Sequence, residues 1–165
     1  MQIKHKTWIA LLPICIALIS SCEKNECGFG NVDADYVIFG HFYGECFGEG
    51  CVEIFKVDDK TLLEDTLDMY PNRDEFYPGQ FATQWDNGKF ELVKDLKTYF
   101  PEELLNETNP VIGQPDAGDW GGIYFELKRG STHRFWILDQ NDNYMPAIYN
   151  SFVDRINEKI AIINH

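Results

Sequence analysis

Residues 44–51 read GECFGEGC, which sets Cys46 and Cys51 around a turn rich in glycine and glutamate. Four kinds of chemistry could use such a stretch. A structural metal clip needs about four nitrogen or sulfur donors, and only His41 and these two cysteines lie near the turn. A redox pair is expected as C-x-x-C opening a helix; here the spacing is longer and the flanking runs, DYVIFGHFYG and CVEIFKV, have strand composition. A phosphate cradle needs differently spaced glycines, then a lysine and a helix. The remaining reading is a staple: a β-hairpin with loop Phe47-Gly48-Glu49-Gly50 would set Cys46 and Cys51 opposite each other, about 5 Å apart, within reach of a disulfide.

Acids supply the next candidates. The segment NETNPVIGQPDAGDWGG is long for a connection inside a compact domain, and such segments are often binding loops. Asp116, Asp119 and Trp120 within it form the candidate binding loop, and the sheet face carrying Tyr124 and Trp136 is the other candidate surface. Acids of the 113–122 loop together with His133 would make a metal-assisted hydrolase the alternative. Calcium demands about six to eight oxygens, and neither this loop nor DQNDN at 139–143 has the glycine and distal glutamate of an EF-hand loop. Turn and cap chemistry explains both segments. The sequence holds no G-x-S-x-G, H-E-x-x-H or Walker pattern, so no catalytic residue, resident metal or cofactor is assigned.

The compartment follows from the N-terminus, MQIKHKTWIALLPICIALISSC. Lys4 and Lys6 precede an uncharged apolar run over 7–19 that is shorter than the roughly 20 residues of a membrane span and is interrupted by Pro13. This is the pattern of a secretory signal. Its end, Ile19-Ser20-Ser21-Cys22, resembles the lipobox of bacterial lipoproteins. That resemblance, confined to the first 22 residues, implies removal of 1–21 and acylation of Cys22 as the mature N-terminus. Each buried methylene adds about 0.8 kcal/mol of membrane affinity, so several acyl chains, palmitate among them, hold a protein in the bilayer. The polar, acidic stretch over 22–34 then serves as a tether, and a single globular domain spans 35–165.

The resemblance places the chain in a bacterial cell envelope, lipid-anchored in the outer membrane and either periplasmic or surface-exposed. Glu23, Lys24 and Glu26 resemble the surface-export signal of Bacteroidota-type lipoproteins, with Asn25 interrupting the acid pair. Asp65-Thr66-Leu67 resembles the O-glycosylation triplet of Bacteroidota envelope proteins. An envelope compartment also lets disulfides persist. Since Cys15 leaves with the signal and Cys22 carries lipid, three cysteines remain. A six-residue ring is worth about 2 kcal/mol and a ring to Cys27 about 3.5 kcal/mol, but facing hairpin positions meet without rearrangement. Cys46 and Cys51 are therefore paired, with Cys27 left as a free or intermolecular thiol.

Charge bounds the partners. Of 165 residues, 27 are acidic and 14 basic, a formal charge of −13 that becomes two units more negative when Lys4 and Lys6 are removed. Nucleic acid demands basic surface, as does anionic lipid, so neither is an expected direct partner of the folded part. Contact with the membrane runs through the lipid, and the possible ligands are a protein, a peptide or a glycan.

The elements that must position these residues follow from periodicity. After the stapled hairpin, 58–60 form a turn and a third strand runs through Leu62 and Leu63. Residues 68–88 are irregular and aromatic, with one short strand. Asp86 or Asn87 caps a helix that faces Leu92, Val93, Leu96, Tyr99 and Phe100 inward, and Pro101 ends it. IYFELK and THRFWILD form a second hairpin. A three-residue turn, Arg129-Gly130-Ser131, would pair Phe125 with Phe135, Tyr124 with Trp136 and Glu126 with Arg134. Asp142 or Asn143 caps a final helix facing Ile148, Phe152, Ile156, Ile160 and Ile163 inward. The expected fold is α+β, an antiparallel sheet of about five or six strands with two helices packed on one face. A lipid-anchored, non-catalytic binding or structural module is the expected function.

Overall fold

The computed structural model describes residues 34–165. Cys22, Cys27, the signal and nearly all of the tether lie outside the described residues. Strands β1 (Tyr36–Phe42), β2 (Val52–Val57), β3 (Leu62–Asp65), β4 (Phe81–Gln84), β5 (Val111–Ile112), β6 (Gly122–Arg129) and β7 (Thr132–Asp139) form one seven-stranded sheet. Its order is β4-β3-β2-β1-β6-β7-β5. All neighbours are antiparallel except β5 and β7, so the sheet is mixed and exceeds the five or six strands expected. The added strand is the two-residue β5, too short to leave a period-two signature in the sequence.

Helix α1 (Asn87–Val93) continues as a 3-10 helix over Lys94–Tyr99, and helix α2 (Asn150–Ile163) is preceded by a 3-10 turn, Ala147–Tyr149. Both pack against the sheet. Phe90, Val93, Leu96 and Phe100 join Phe152, Val153, Ile156 and Ile160 in one buried cluster with Val37, Phe39, Phe55, Phe125, Leu127 and Trp136. Asp86 caps α1 by accepting from the Gly88 and Lys89 amides. Leu92 is exposed and Phe90 takes its place inside. Likewise Ile148 is exposed and Tyr149 is buried, because the 3-10 turn rotates these positions relative to an α-helical continuation. Lys89 and Lys159 fasten the helices reciprocally: Lys89 Nζ donates to the Ile162 carbonyl and the buried Lys159 Nζ to the Leu92 carbonyl.

The opposite face is covered by an irregular strap over 66–80. A second cluster there comprises Ile38, Phe42, Val52, Ile54, Tyr77, Tyr124 and Ile137. With both faces covered, β6 is buried along most of its length, Glu126 included.

The register of β6 and β7 differs from the expected one. Arg129 faces Thr132 across the two-residue turn 130–131, which pairs Phe125 with Trp136, Glu126 with Phe135 and Tyr124 with Ile137. Gly130 has φ 55, the left-handed conformation that a two-residue hairpin turn requires and that matches the twist of its strands. Charge pairing with Glu126 does not hold Arg134; its guanidinium donates to the Leu105 and Glu107 carbonyls and lies over the Trp136 ring.

The first hairpin is also longer than expected. The ladder ends at Phe42 and Val52, so the loop spans 43–51 and Cys46 lies inside it. The Cys46–Cys51 disulfide is present with a Cα separation of 5.6 Å, closing a small ring within the loop instead of bridging facing strand positions.

Candidate functional site

The register fixes where the connections emerge. Phe42 pairs with Val52 and with Gly122, Gly122 with Asp139, Ile112 with Leu138, and Asp65 with Phe81. The four long connections, 43–51, 66–80, 113–121 and 140–146, therefore leave one end of the sheet. At the other end lie the short turns 58–61 and 130–131. The described chain begins there too: the Asp35 amide donates to the Lys128 carbonyl and its carboxylate accepts from the Gly130 amide. At about 3.3 Å per residue, the seven residues of β1 separate the two ends by roughly 20 Å.

Asp116 ties three of the four long loops together. Its Oδ2 accepts from the Gly44 amide at 2.8 Å and from the Tyr70 hydroxyl at 2.9 Å, and its Oδ1 accepts from the Gly121 amide at 3.0 Å. Burial, and then the hydrogen bond to Asp116, push the Tyr70 phenol up to about 12. Asp116 has φ 59 and Asp119 φ 62, a conformation that aspartate tolerates better than most residues and that turns this loop sharply.

Trp120 is held from several sides. Its Nε1 donates at 2.8 Å to the fully buried Asp139, which also accepts from the Gln114 and Asn141 amides. The half-exposed Tyr144 ring stacks on the indole at 5.4 Å between centroids. A Cβ at Gly118 would come within 1.9 Å of the indole, so only glycine fits there. Trp120 acts as a post that fixes the loop, and the outer aromatic offered to solvent is Tyr144. The exposed Asp119 completes this candidate loop.

His133 lies elsewhere. It pairs with Lys128, at the opposite end of β6 from Gly122, so the Asp116, Asp119 and His133 set is divided between the two ends of the sheet. Among the described residues no group of three His, Cys, Asp or Glu side chains is placed to hold a metal ion. The His133 Nε2 lies 2.8 Å from Oε1 of the buried Glu126 and 3.3 Å from the Tyr36 hydroxyl, with Phe76 stacked on the imidazole at 4.1 Å. Burial, and then Glu126, raise the Tyr36 phenol above its ordinary range.

A hydrogen-bonded chain runs from this cluster into the strap. The Tyr124 hydroxyl donates to Glu126 Oε2 at 2.7 Å and accepts from the Tyr77 amide at 3.0 Å. The Tyr77 hydroxyl donates to Asp65 at 2.7 Å, and Asp65 also accepts from the Leu67, Asp68 and Gln80 amides. Desolvation, then the neighbouring carboxylates, push both phenols well above the ordinary tyrosine range. In the Asp65-Thr66-Leu67 triplet the aspartate is thus buried as an anchor while Thr66 is exposed.

Sequence reasoning missed Tyr36, Asp65, Tyr77, Glu126 and Tyr144 as organising residues. For Asp65 and Tyr77 the available signal was the crowding of tyrosines and acids around the irregular 68–88 segment; Tyr36, Glu126 and Tyr144, distant from it in sequence, left none. No protein-family model matches the chain, and no curated protein and no solved structure matches it either.

Proposed function

We propose that this chain is a lipid-anchored bacterial cell-envelope protein, a non-catalytic binding or structural module held in the outer membrane by acyl groups on Cys22. The observation that supports this reading most is the polarity of the sheet. The described chain begins at Ala34, at the end with short turns, while all four long loops emerge about 20 Å away at the other. A tether entering there directs the loop end away from the bilayer. Among the described residues no helix is long and apolar enough to cross a membrane.

The loop end has the parts of a recognition surface: loops braced on a rigid sheet, exposed aromatics and acids. Its ligand is a protein, a peptide or a glycan. Metabolic labelling with an alkynyl palmitate tests the attachment. The wild-type chain should carry the label and sediment with outer membranes, and Cys22→Ser should lose both properties. Unchanged labelling of Cys22→Ser would overturn the reading.

A further inference from the structure

We propose that the stapled loop and the first turn of the strap together form a docking surface for a protein partner that presents an apolar pocket rimmed by lysine and arginine side chains. Phe47, at the tip of the disulfide-closed ring, is fully exposed, and no atom lies near where a Cβ on the adjoining Gly48 would sit. A phenylalanine so placed contributes nothing to the packing of its own chain. Aromatic side chains held out in this way are typical anchors of protein interfaces.

Phe47 does not stand alone. Leu67, Met69 and Tyr70, at the start of the strap, are exposed large apolar side chains of this sheet end too. The two loops lie side by side: Tyr70 packs edge-on against Phe42 at 4.8 Å between centroids, and Asp116 accepts from both the Gly44 amide and the Tyr70 hydroxyl. The disulfide and this shared carboxylate hold both loops before any partner arrives, which lowers the ordering cost of association.

Charge selects the partner. Glu45, Glu49 and Asp68 flank the apolar side chains. The carboxyl groups of Asp68 and Glu64 sit above their ordinary range, first through burial and then through neighbouring acids that include Glu49 and Glu53. Cations delivered by a partner would relieve that crowding. An anionic bilayer would be repelled, and so would a second copy carrying the same acids.

The inference rests on the preceding reading only for the direction in which the loops point. It is tested in the full, lipidated chain in its native cells, with a photoreactive benzoylphenylalanine at position 47 or 70 and, as controls, at the exposed apolar positions 92 and 148. One discrete protein adduct is expected from 47 and 70, about tenfold above the controls. The crosslinked residue should map to an apolar site flanked by lysine or arginine. The double reversal Glu45→Lys with Glu49→Lys should cut the adduct at 70 by about fivefold.

Adducts no more abundant at 47 and 70 than at the controls would overturn the proposal, as would adducts only to lipid, glycan or a second copy, or an adduct indifferent to the charge reversal. Lipid label at Cys22, followed in the same cells, reports separately on anchoring: a labelled chain without adduct fails docking alone. Because Phe47 packs on nothing, Phe47→Ala should melt as the wild type does, and its loss of competition against the adduct is then a binding effect.

Discussion

The two faces of the sheet are closed by different physics. On one, α1 with its 3-10 continuation and α2 lay down Phe90, Val93, Leu96, Phe152, Ile156 and Ile160 against the strands, and burial of apolar surface does the holding. On the other, the strap over 66–80 has no regular structure of its own and is pinned by Asp65, Tyr77, Tyr124 and Glu126. A helix-covered face degrades gradually as volume is lost. A face closed by a strap depends on a few hydrogen bonds whose loss leaves buried polar groups unpaired.

The largest expected effect is on the helical face. Phe152 is fully buried and meets Phe125 at 4.9 Å and Phe100 at 6.1 Å between centroids. Phe152→Ala should cost about 3–5 kcal/mol, seen as a global fall in the urea midpoint. A cost no larger than that of a surface substitution would erase the distinction between the faces.

Next comes the strap. Asp65→Asn keeps the volume but cannot accept from four donors at once, and should cost about 2–3 kcal/mol. Hydrogen exchange should accelerate over 66–80 while the helices stay protected, so uniform acceleration would mean that the two faces unfold as one unit.

Opening the staple is a smaller change. Cys46→Ser releases a ring that closes only a few residues and should lower stability by about 2 kcal/mol, read as a drop of several degrees in Tm with the fold retained. Non-reducing peptide maps should recover Cys46 and Cys51 in one connected species.

The smallest effect is on pH. His41, on β1, lies 3.1 Å from Glu53 on β2, yet burial outweighs that attraction and lowers the imidazole below its ordinary value. The folded state thus resists protonation that the unfolded chain accepts. Its contribution is fully present above about pH 6.5 and is lost as pH falls from there towards the lowered folded value. His41→Gln should therefore flatten the fall in Tm between about pH 7 and pH 5; an unchanged slope would assign that fall to other groups.

These differences also account for what was legible beforehand. Helical spacing carried most of the inward residues of α1 and α2, because apolar periodicity is the signal that packing leaves in a sequence. It misplaced Leu92 and Ile148, which lie where the helical rise changes near a 3-10 segment. The Cys46–Cys51 pairing was legible from spacing, though not the nine-residue loop that holds it. Parity failed for β6 and β7 because both faces are covered, so alternation no longer marked inside from outside and the Gly130 turn decided the register. The strap left no period at all. Asp65, Tyr77 and Glu126 are far apart in sequence and join only through the tertiary fold. Trp120, in the candidate binding loop, has its indole N–H committed to Asp139, whereas Tyr124 and Trp136, the other candidate surface, are fully buried.

The central claim is that the anchored chain presents its long loops away from the bilayer. With the lipidated protein on vesicles, a fluorophore at Lys60→Cys, in a turn at the end where the chain enters, is compared with one at Asp142→Cys among the long loops. The two ends lie roughly 20 Å apart along the sheet, which separates the two positions. A quencher on the lipid headgroups should quench position 60 more strongly than position 142. Equal quenching, or stronger quenching at position 142, would contradict the account.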